Sequence, residues 1–174
     1  MQVVSILIFV LIEIVVAAFI VATTGQLPDR VASHFGAGNL PNGWMTRDGY
    51  LAFMLAFAVL LPAIVVAGVG IVPLLSPRRI NIPNRAYWLA PERRGATLAT
   101  LASRACWLGA LIAIFLAGVH YAILEANATT PPRLPADLFW TLLIAFAAGL
   151  ALWIGTLYLR FRNVPDSARR MTAR

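Results

Sequence analysis

The sequence has 174 residues, of which 60% are hydrophobic and only 12% are charged, and its mean hydropathy is +0.80. Soluble domains carry about 25% charged residues, so this composition excludes a disordered chain, a disulfide-stapled secreted module and an ordinary water-soluble enzyme. The net charge is +7 and all 14 basic residues are arginine, but in so apolar a chain this surplus indicates membrane topology rather than nucleic-acid binding.

Four long apolar runs follow one another along the chain, and each is predicted to form one transmembrane helix of an all-α, polytopic membrane protein. The runs cover residues 2–24, 50–75, 105–124 and 138–159. Each is close to the roughly 20 residues with which a helix crosses about 30 Å of hydrocarbon. Helices satisfy their own backbone hydrogen bonds in lipid, whereas barrel strands would be near 10 residues long and alternating.

The segments between the runs are too short to form a separate soluble domain, so a single membrane domain over residues 1–174 is predicted. The main segments are an outer loop 25–49, a cytoplasmic loop 76–104 and a cytoplasmic tail 160–174. Eleven of the arginines lie in the last two segments. Because positively charged loops stay in the cytoplasm, both termini are predicted to be cytoplasmic, and the expected location is a bacterial inner membrane.

The start of the third helix has two interpretations. Pro91 suits the first position of a helix, and Glu92 suits its first turn. Residues 91–104 therefore form either a cytoplasmic extension of the third helix or a short interfacial helix. Further along, Gly109, Ala113 and Ala117 recur at four-residue spacing. Such spacing favours close packing of helices, within one bundle or between copies in a homo-oligomer.

Glu13 lies at the centre of the first run. An ionisable group at this depth costs on the order of 2.5–3.5 kcal/mol by insertion scales. It is interpreted either as a site for a proton, cation or buried polar partner, or as a neutral carboxyl that is hydrogen-bonded to a neighbouring helix.

Two histidines are further candidates. His120 lies near the outer end of the third helix, and His34 lies in the outer loop. With Glu125 they would make a zinc shell, although no metal-binding spacing supports this, and a hydrogen-bonded His120 is the favoured interpretation. The sequence contains no catalytic motif and implies no cofactor, so an enzyme activity is left open but not favoured.

The outer loop carries the most distinctive residues of the chain. Leu27-Pro28, then Val31-x-x-His34-Phe35, then Pro41-Asn42-Gly43-Trp44 follow the first helix. The prolines stiffen the chain, Pro-Asn-Gly favours a turn, and Phe35 and Trp44 suit the membrane interface. We therefore expect this loop to be ordered against the helices.

These outer-loop motifs resemble a bacterial membrane family known as a domain of unknown function. A second stretch, from Asn84 to Arg94, resembles that family's cytoplasmic loop, so the resemblance covers roughly residues 5–100. The same domain opens SdpI-type proteins, which confer immunity to a secreted toxic peptide and signal its presence by sequestering a repressor at the membrane. The sequence does not show the additional C-terminal membrane portion of the full SdpI type. Asn39 stands where the family often has glycine, and Asn also tolerates a left-handed backbone.

Three functions follow as hypotheses. The first is a binding or signalling protein that engages an extracellular peptide and a cytoplasmic regulator, with ligand contacts assigned to His34, Phe35, Trp44, Glu13 and His120. The second is a small transporter, or a subunit of one, that uses Glu13. The third is a metal-dependent enzyme at the outer surface. Under all three hypotheses the protein is expected to contact the lipid bilayer, and nucleic acid is not an expected partner.

Overall fold

The computed structural model of the chain describes residues 2–76 and 80–164. Arg78, Arg79 and residues 165–174 of the predicted tail lie outside this part. The described elements are α1 (Gln2–Thr24), β1 (Arg30–Phe35), a 3-10 turn (Ala37–Asn39), β2 (Pro41–Thr46), α2 (Arg47–Val66), a π-helical turn (Ala67–Ile71), α3 (Val72–Leu75), α4 (Arg85–Trp88), α5 (Pro91–Asn127) and α6 (Ala136–Arg162).

Within the described residues, four helical segments are long and apolar enough to cross a membrane. They are Gln2–Thr24, Arg47–Leu75, Pro91–Asn127 and Ala136–Arg162. The chain is therefore an all-α multi-pass membrane protein, and this prediction is confirmed. The third helix begins at Pro91, so residues 91–104 extend it continuously and do not form a separate interfacial helix.

Helix α5 is the central element of the bundle, because α1, α2 and α6 all pack against it. Gly109 allows the closest approach. A Cβ at this position would lie 2.5 Å from Val66 Cγ2 and 2.7 Å from Phe9 Cε2. The small residue predicted to permit close packing thus lies where α1, α2 and α5 meet.

The outer loop folds into an antiparallel hairpin of β1 and β2, which the sequence analysis did not predict. Its register is irregular between Ala32 and Phe35, with His34 opposite Gly43. A Cβ at Gly43 would lie 2.8 Å from the His34 Cβ, so glycine leaves space for this side chain. In the connecting turn, Asn39 adopts a left-handed φ of 60°, as its tolerance for that conformation predicts. We call the end of the bundle that carries this hairpin the hairpin end.

The opposite end is the arginine-rich end, where α4 caps the last turn of α6. Asn84 Nδ2 donates to the carbonyl oxygens of Phe161 (3.1 Å) and Arg162 (2.8 Å), and Trp88 Nε1 donates to the Phe161 carbonyl at 2.7 Å. The last carbonyls of a helix have no partner within the helix. The stretch that begins at Asn84 therefore supplies those partners and fixes the end of α6.

Candidate functional site

The hairpin is fastened to the bundle by one side chain of α5. Asn127 Oδ1 accepts a hydrogen bond from the Ala32 backbone N–H at 2.9 Å, and its Nδ2 donates to the Ala32 carbonyl at 3.0 Å. The same Nδ2 donates to the Ile123 carbonyl at 2.9 Å. Ala32 and the adjacent Val31 are completely buried. The hairpin is therefore a fixed part of the bundle, as the sequence analysis expected for this loop.

A cavity of about 290 Å³ lies between the hairpin and the ends of α5 and α6. We call it the hairpin cavity. Its lining includes His34, Phe35, Asn39, Ile123, Phe139 and Trp140. The Leu134 backbone N–H donates to the Asn39 carbonyl at 3.0 Å, which ties the turn of the hairpin to the α5–α6 connection. The cavity combines aromatic walls with the exposed imidazole of His34.

The hydrogen bonding of His34 leaves one ring nitrogen available. Its Nδ1 lies 3.1 Å from Asn42 Oδ1. An amide oxygen only accepts, so the His34 Nδ1–H donates this hydrogen bond to Asn42 Oδ1. In the neutral ring, Nε2 then carries no proton, and because no partner for it lies in residues 2–76 or 80–164, it can accept from a ligand N–H.

His120 is the centre of a buried network that joins α1, α2 and α5. It is completely buried, and Tyr50 is 3% exposed. The His120 Nε2 lies 2.8 Å from Thr23 Oγ1, and its Nδ1 lies 2.8 Å from the Tyr50 hydroxyl. Phe19 also contacts the imidazole edge-on, at 5.3 Å between ring centroids.

The hydrogen bonds of this network determine which atoms carry its protons. The single hydroxyl proton of Thr23 is donated to the Phe19 carbonyl at 2.7 Å, so Thr23 Oγ1 must accept from His120 Nε2. A buried charge without a counter-ion is costly, so the ring is neutral and Nδ1 accepts from the Tyr50 hydroxyl. Every polar atom of the ring is therefore satisfied, which supports the interpretation of His120 as a hydrogen-bonded residue.

Glu13 differs from His120 in the hydrogen bonding of its polar atoms. It lies on α1 between Phe9 and Val16, which are both buried at helical spacing. Both of its carboxyl oxygens are buried, and no hydrogen-bond partner for them lies in residues 2–76 or 80–164. Native proteins rarely leave buried polar groups unpaired, and an exception indicates an unseen water, proton or ion, or a functional role.

The structure does not bring the remaining predicted site residues together in one site. Trp44 is not among the residues that line the hairpin cavity; its ring centroid lies 5.2 Å from the Arg30 guanidinium carbon. His120 points into the bundle and His34 into the cavity. Among the described residues, no three His, Cys, Asp or Glu side chains are grouped to hold a metal ion. The structure does not assemble the zinc shell of His34, His120 and Glu125, and we do not propose it.

Sequence reasoning missed the residues that complete these sites. Thr23 and Tyr50 stand at the edges of apolar runs and look like ordinary boundary residues. One sequence feature could have indicated the network: three of the predicted helices each carry a polar residue near the same end of the bundle. Trp140 was missed because an aromatic residue at the start of a membrane helix is common at the interface.

Comparisons with known proteins identify a family without assigning an activity. Residues 8–60 match the family model described as Domain of unknown function (DUF1648). A protein of Archaeoglobus fulgidus, described as uncharacterized, is 31% identical over 152 residues, which cover 79% of this chain and 75% of the archaeal protein. No solved structure matches the chain.

Proposed function

The chain belongs to one family with the Archaeoglobus fulgidus protein and carries the DUF1648 domain, and we propose that it is a binding and signalling protein. The hairpin cavity would receive a side chain of a membrane-active peptide at the outer face of a bacterial inner membrane. The arginine-rich end of the bundle would face the cytoplasm. The single observation that carries this proposal is the cavity of about 290 Å³ between the fixed hairpin and Trp140.

The chemistry of the cavity suits a peptide that lies at the membrane surface. Ligand sites are mostly apolar pockets with a few placed polar groups, and they range from about 300 to 1,000 Å³. This cavity is near the lower limit, so it suits one large apolar side chain better than a whole folded partner. Phe139 and Trp140 offer aromatic contacts, and His34 Nε2 offers an acceptor for a backbone N–H.

The position of the cavity also suits signalling. Val119 and Ile123 of α5 form part of its wall. Helix α5 has 37 residues and is therefore about 55 Å long. It continues without a break to Pro91 at the arginine-rich end. A ligand that shifts this wall would act on a rigid element that reaches both faces of the membrane. The resemblance to SdpI-type proteins supports the same pairing of a peptide outside with a regulator inside.

The proposal is tested in a peptide-sensitive bacterium that expresses the protein. Cells are challenged with a panel of membrane-active peptides, and survival is compared with that of empty-vector cells. We expect the wild-type protein to protect against at least one peptide, and Trp140→Ala and His34→Ala to abolish that protection. Trp44→Ala is the matched control, because this exposed tryptophan belongs to the hairpin but not to the cavity. Equal survival with and without the protein across the panel would count against peptide binding.

A second candidate function, transport coupled to a proton or cation, is favoured by one specific observation. Inside a membrane-spanning helix, Glu13 presents two buried oxygens that have no hydrogen-bond partner in the described part of the chain. Intramembrane acids commonly mark ion pathways or proton relays. Four spans are few for an independent transporter, so this function would require a homo-oligomer or a partner subunit.

The transport candidate is tested in proteoliposomes that contain a pH-sensitive dye. An imposed pH gradient should dissipate faster with the wild-type protein than with Glu13→Gln. Glu125→Gln serves as the control, because Glu125 is an exposed acid at the hairpin end. Equal rates for the wild type, Glu13→Gln and protein-free vesicles remove the transport candidate.

A further inference from the structure

A second site lies at the arginine-rich end, away from the hairpin cavity. A cavity of about 570 Å³ opens there between the start of α1, α5 and the end of α6. It is lined by Gln2, Thr100, Ser103, Arg104, Trp107 and Arg160, together with Ala99. A smaller groove of about 390 Å³ shares Arg104 and Trp107 with it and continues along α5. The two form one channel that is polar at its mouth and apolar deeper in the membrane.

The mouth of this channel carries two positive charges that no described acid neutralises. Neither Arg104 nor Arg160 lies within ion-pair distance of a carboxylate in residues 2–76 or 80–164. Arg104 Nη1 donates one hydrogen bond to Thr156 Oγ1 at 3.1 Å. Its guanidinium has five N–H donors, so within the described residues most of them remain for another acceptor. Arg160 lies over the Trp88 ring, with its guanidinium carbon 5.2 Å from the centroid.

The inner part of the channel has the character of a hydrocarbon site. Its walls include Leu111, Ile114 and Leu152, and the ring of Trp153. Trp153 Nε1 donates to the Arg104 carbonyl at 2.9 Å, which holds the indole beside the arginine. Leu152 and Ile114 are 68% and 56% exposed, so this surface faces the surrounding lipid.

The depth of Arg104 matches the membrane interface. Gln2, the first residue of α1, lines the same mouth. The apolar run of α1 begins directly after it. Arg104 therefore lies where the hydrocarbon region starts, at the level of phospholipid phosphates. Basic pockets between membrane helices on the cytoplasmic side bind anionic lipid headgroups.

We propose that this channel is a binding site for one anionic phospholipid, whose phosphate is held by Arg104 and Arg160 and whose acyl chain lies along Trp107 and Leu152. The charge of the mouth selects an anionic headgroup over a zwitterionic one. The apolar groove that continues from the mouth accepts a chain that a free phosphate lacks. The channel shares no lining residue with the hairpin cavity, so lipid binding can be tested separately from peptide binding.

Native mass spectrometry of the detergent-purified protein tests the proposal with phosphatidylglycerol and phosphatidylcholine of identical acyl chains. We expect the wild-type protein to retain phosphatidylglycerol in preference to phosphatidylcholine. Arg104→Ala should weaken phosphatidylglycerol binding about tenfold, which corresponds to about 1.4 kcal/mol. Arg94→Ala is the matched control, because Arg94 is exposed on the same helix and does not line the channel.

Two further measurements keep the test decisive. Arg160→Ala removes a charge from an exposed position at the end of α6, so it should reduce retention even if Arg104→Ala fails to fold. Phosphatidylglycerol with brominated acyl chains should quench tryptophan fluorescence in the wild type more strongly than in Arg104→Ala or Arg160→Ala. Equal retention of both lipids by the wild type, or equal losses in the Arg94 and Arg160 variants, would overturn the proposal.

Discussion

Replacement of Tyr50 by phenylalanine tests the buried network around His120. The ring of Tyr50 stays in place, and only the hydroxyl that donates to His120 Nδ1 at 2.8 Å is lost. Because His120 is completely buried, water cannot replace the lost donor. An unsatisfied buried acceptor costs about 1–3 kcal/mol. For a chain of this size, each kcal/mol corresponds to about 2–4 °C in melting temperature, so we expect a fall of several degrees.

The assay is thermal unfolding of the detergent-purified protein, followed by circular dichroism. Tyr158→Phe is the matched control, since Tyr158 is 50% exposed on α6 and should unfold like the wild type. Thr23→Val removes the partner of the other ring nitrogen. Its effect should not add simply to that of Tyr50→Phe, because both act through His120. Equal melting temperatures for Tyr50→Phe and Tyr158→Phe would refute the proposed network.

Three further predictions concern the packing and polarity of the bundle. Asn127→Ala leaves the buried backbone groups of Ala32 without their Asn127 partner, so the hairpin amides should exchange hydrogen faster, as measured by mass spectrometry. Unchanged exchange would contradict the role of Asn127 in holding the hairpin. Gly109→Val should lower the free energy of unfolding by about 1–3 kcal/mol, the cost of an overpacked core, and the melting temperature should fall with it, whereas Gly155→Ala, with open space around it, should not lower the melting temperature. Glu13→Leu removes a buried carboxyl that has no hydrogen-bond partner in residues 2–76 or 80–164 and should raise the melting temperature; a lower value would indicate that Glu13 has a stabilising partner.

The helices could be predicted from the sequence because membrane spans depend on length and apolar composition. Residues 2–24 were predicted as the first helix, and α1 has the same bounds. The third helix was harder to predict, because residues 91–104 are more polar. Pro91 and Glu92 indicated a helix start, but they did not decide between an extension of the third helix and a separate interfacial helix. The continuous α5 follows from packing, since Leu101 and Ala105 are buried against other elements.

The sites could be predicted only in part, because they depend on contacts between distant segments. His34 and Phe35 were identified from the outer-loop motif, but their partner in the cavity, Trp140, is more than a hundred residues away. Nothing in the sequence indicated that Asn127 holds the hairpin; Asn127-Ala128-Thr129 matches only a glycosylation acceptor. The role of Asn127 depends on the hairpin, and the sequences of the two short strands, RVASHF and PNGWMT, show no clear alternation of apolar and polar residues that would predict strands.

Helix α5 connects the features on which the proposals rest. It carries Val119 in the wall of the hairpin cavity, His120 in the buried network, and Arg104 at the mouth of the lipid channel. Between them, Gly109 holds α1 and α2 in close contact. Packed interiors transmit displacement because they contain little free space. A ligand that moves the hairpin end of α5 is therefore resisted by α1 and α2 together. We expect any signal to emerge as a displacement of α5 relative to α6, at the channel that contains Arg104.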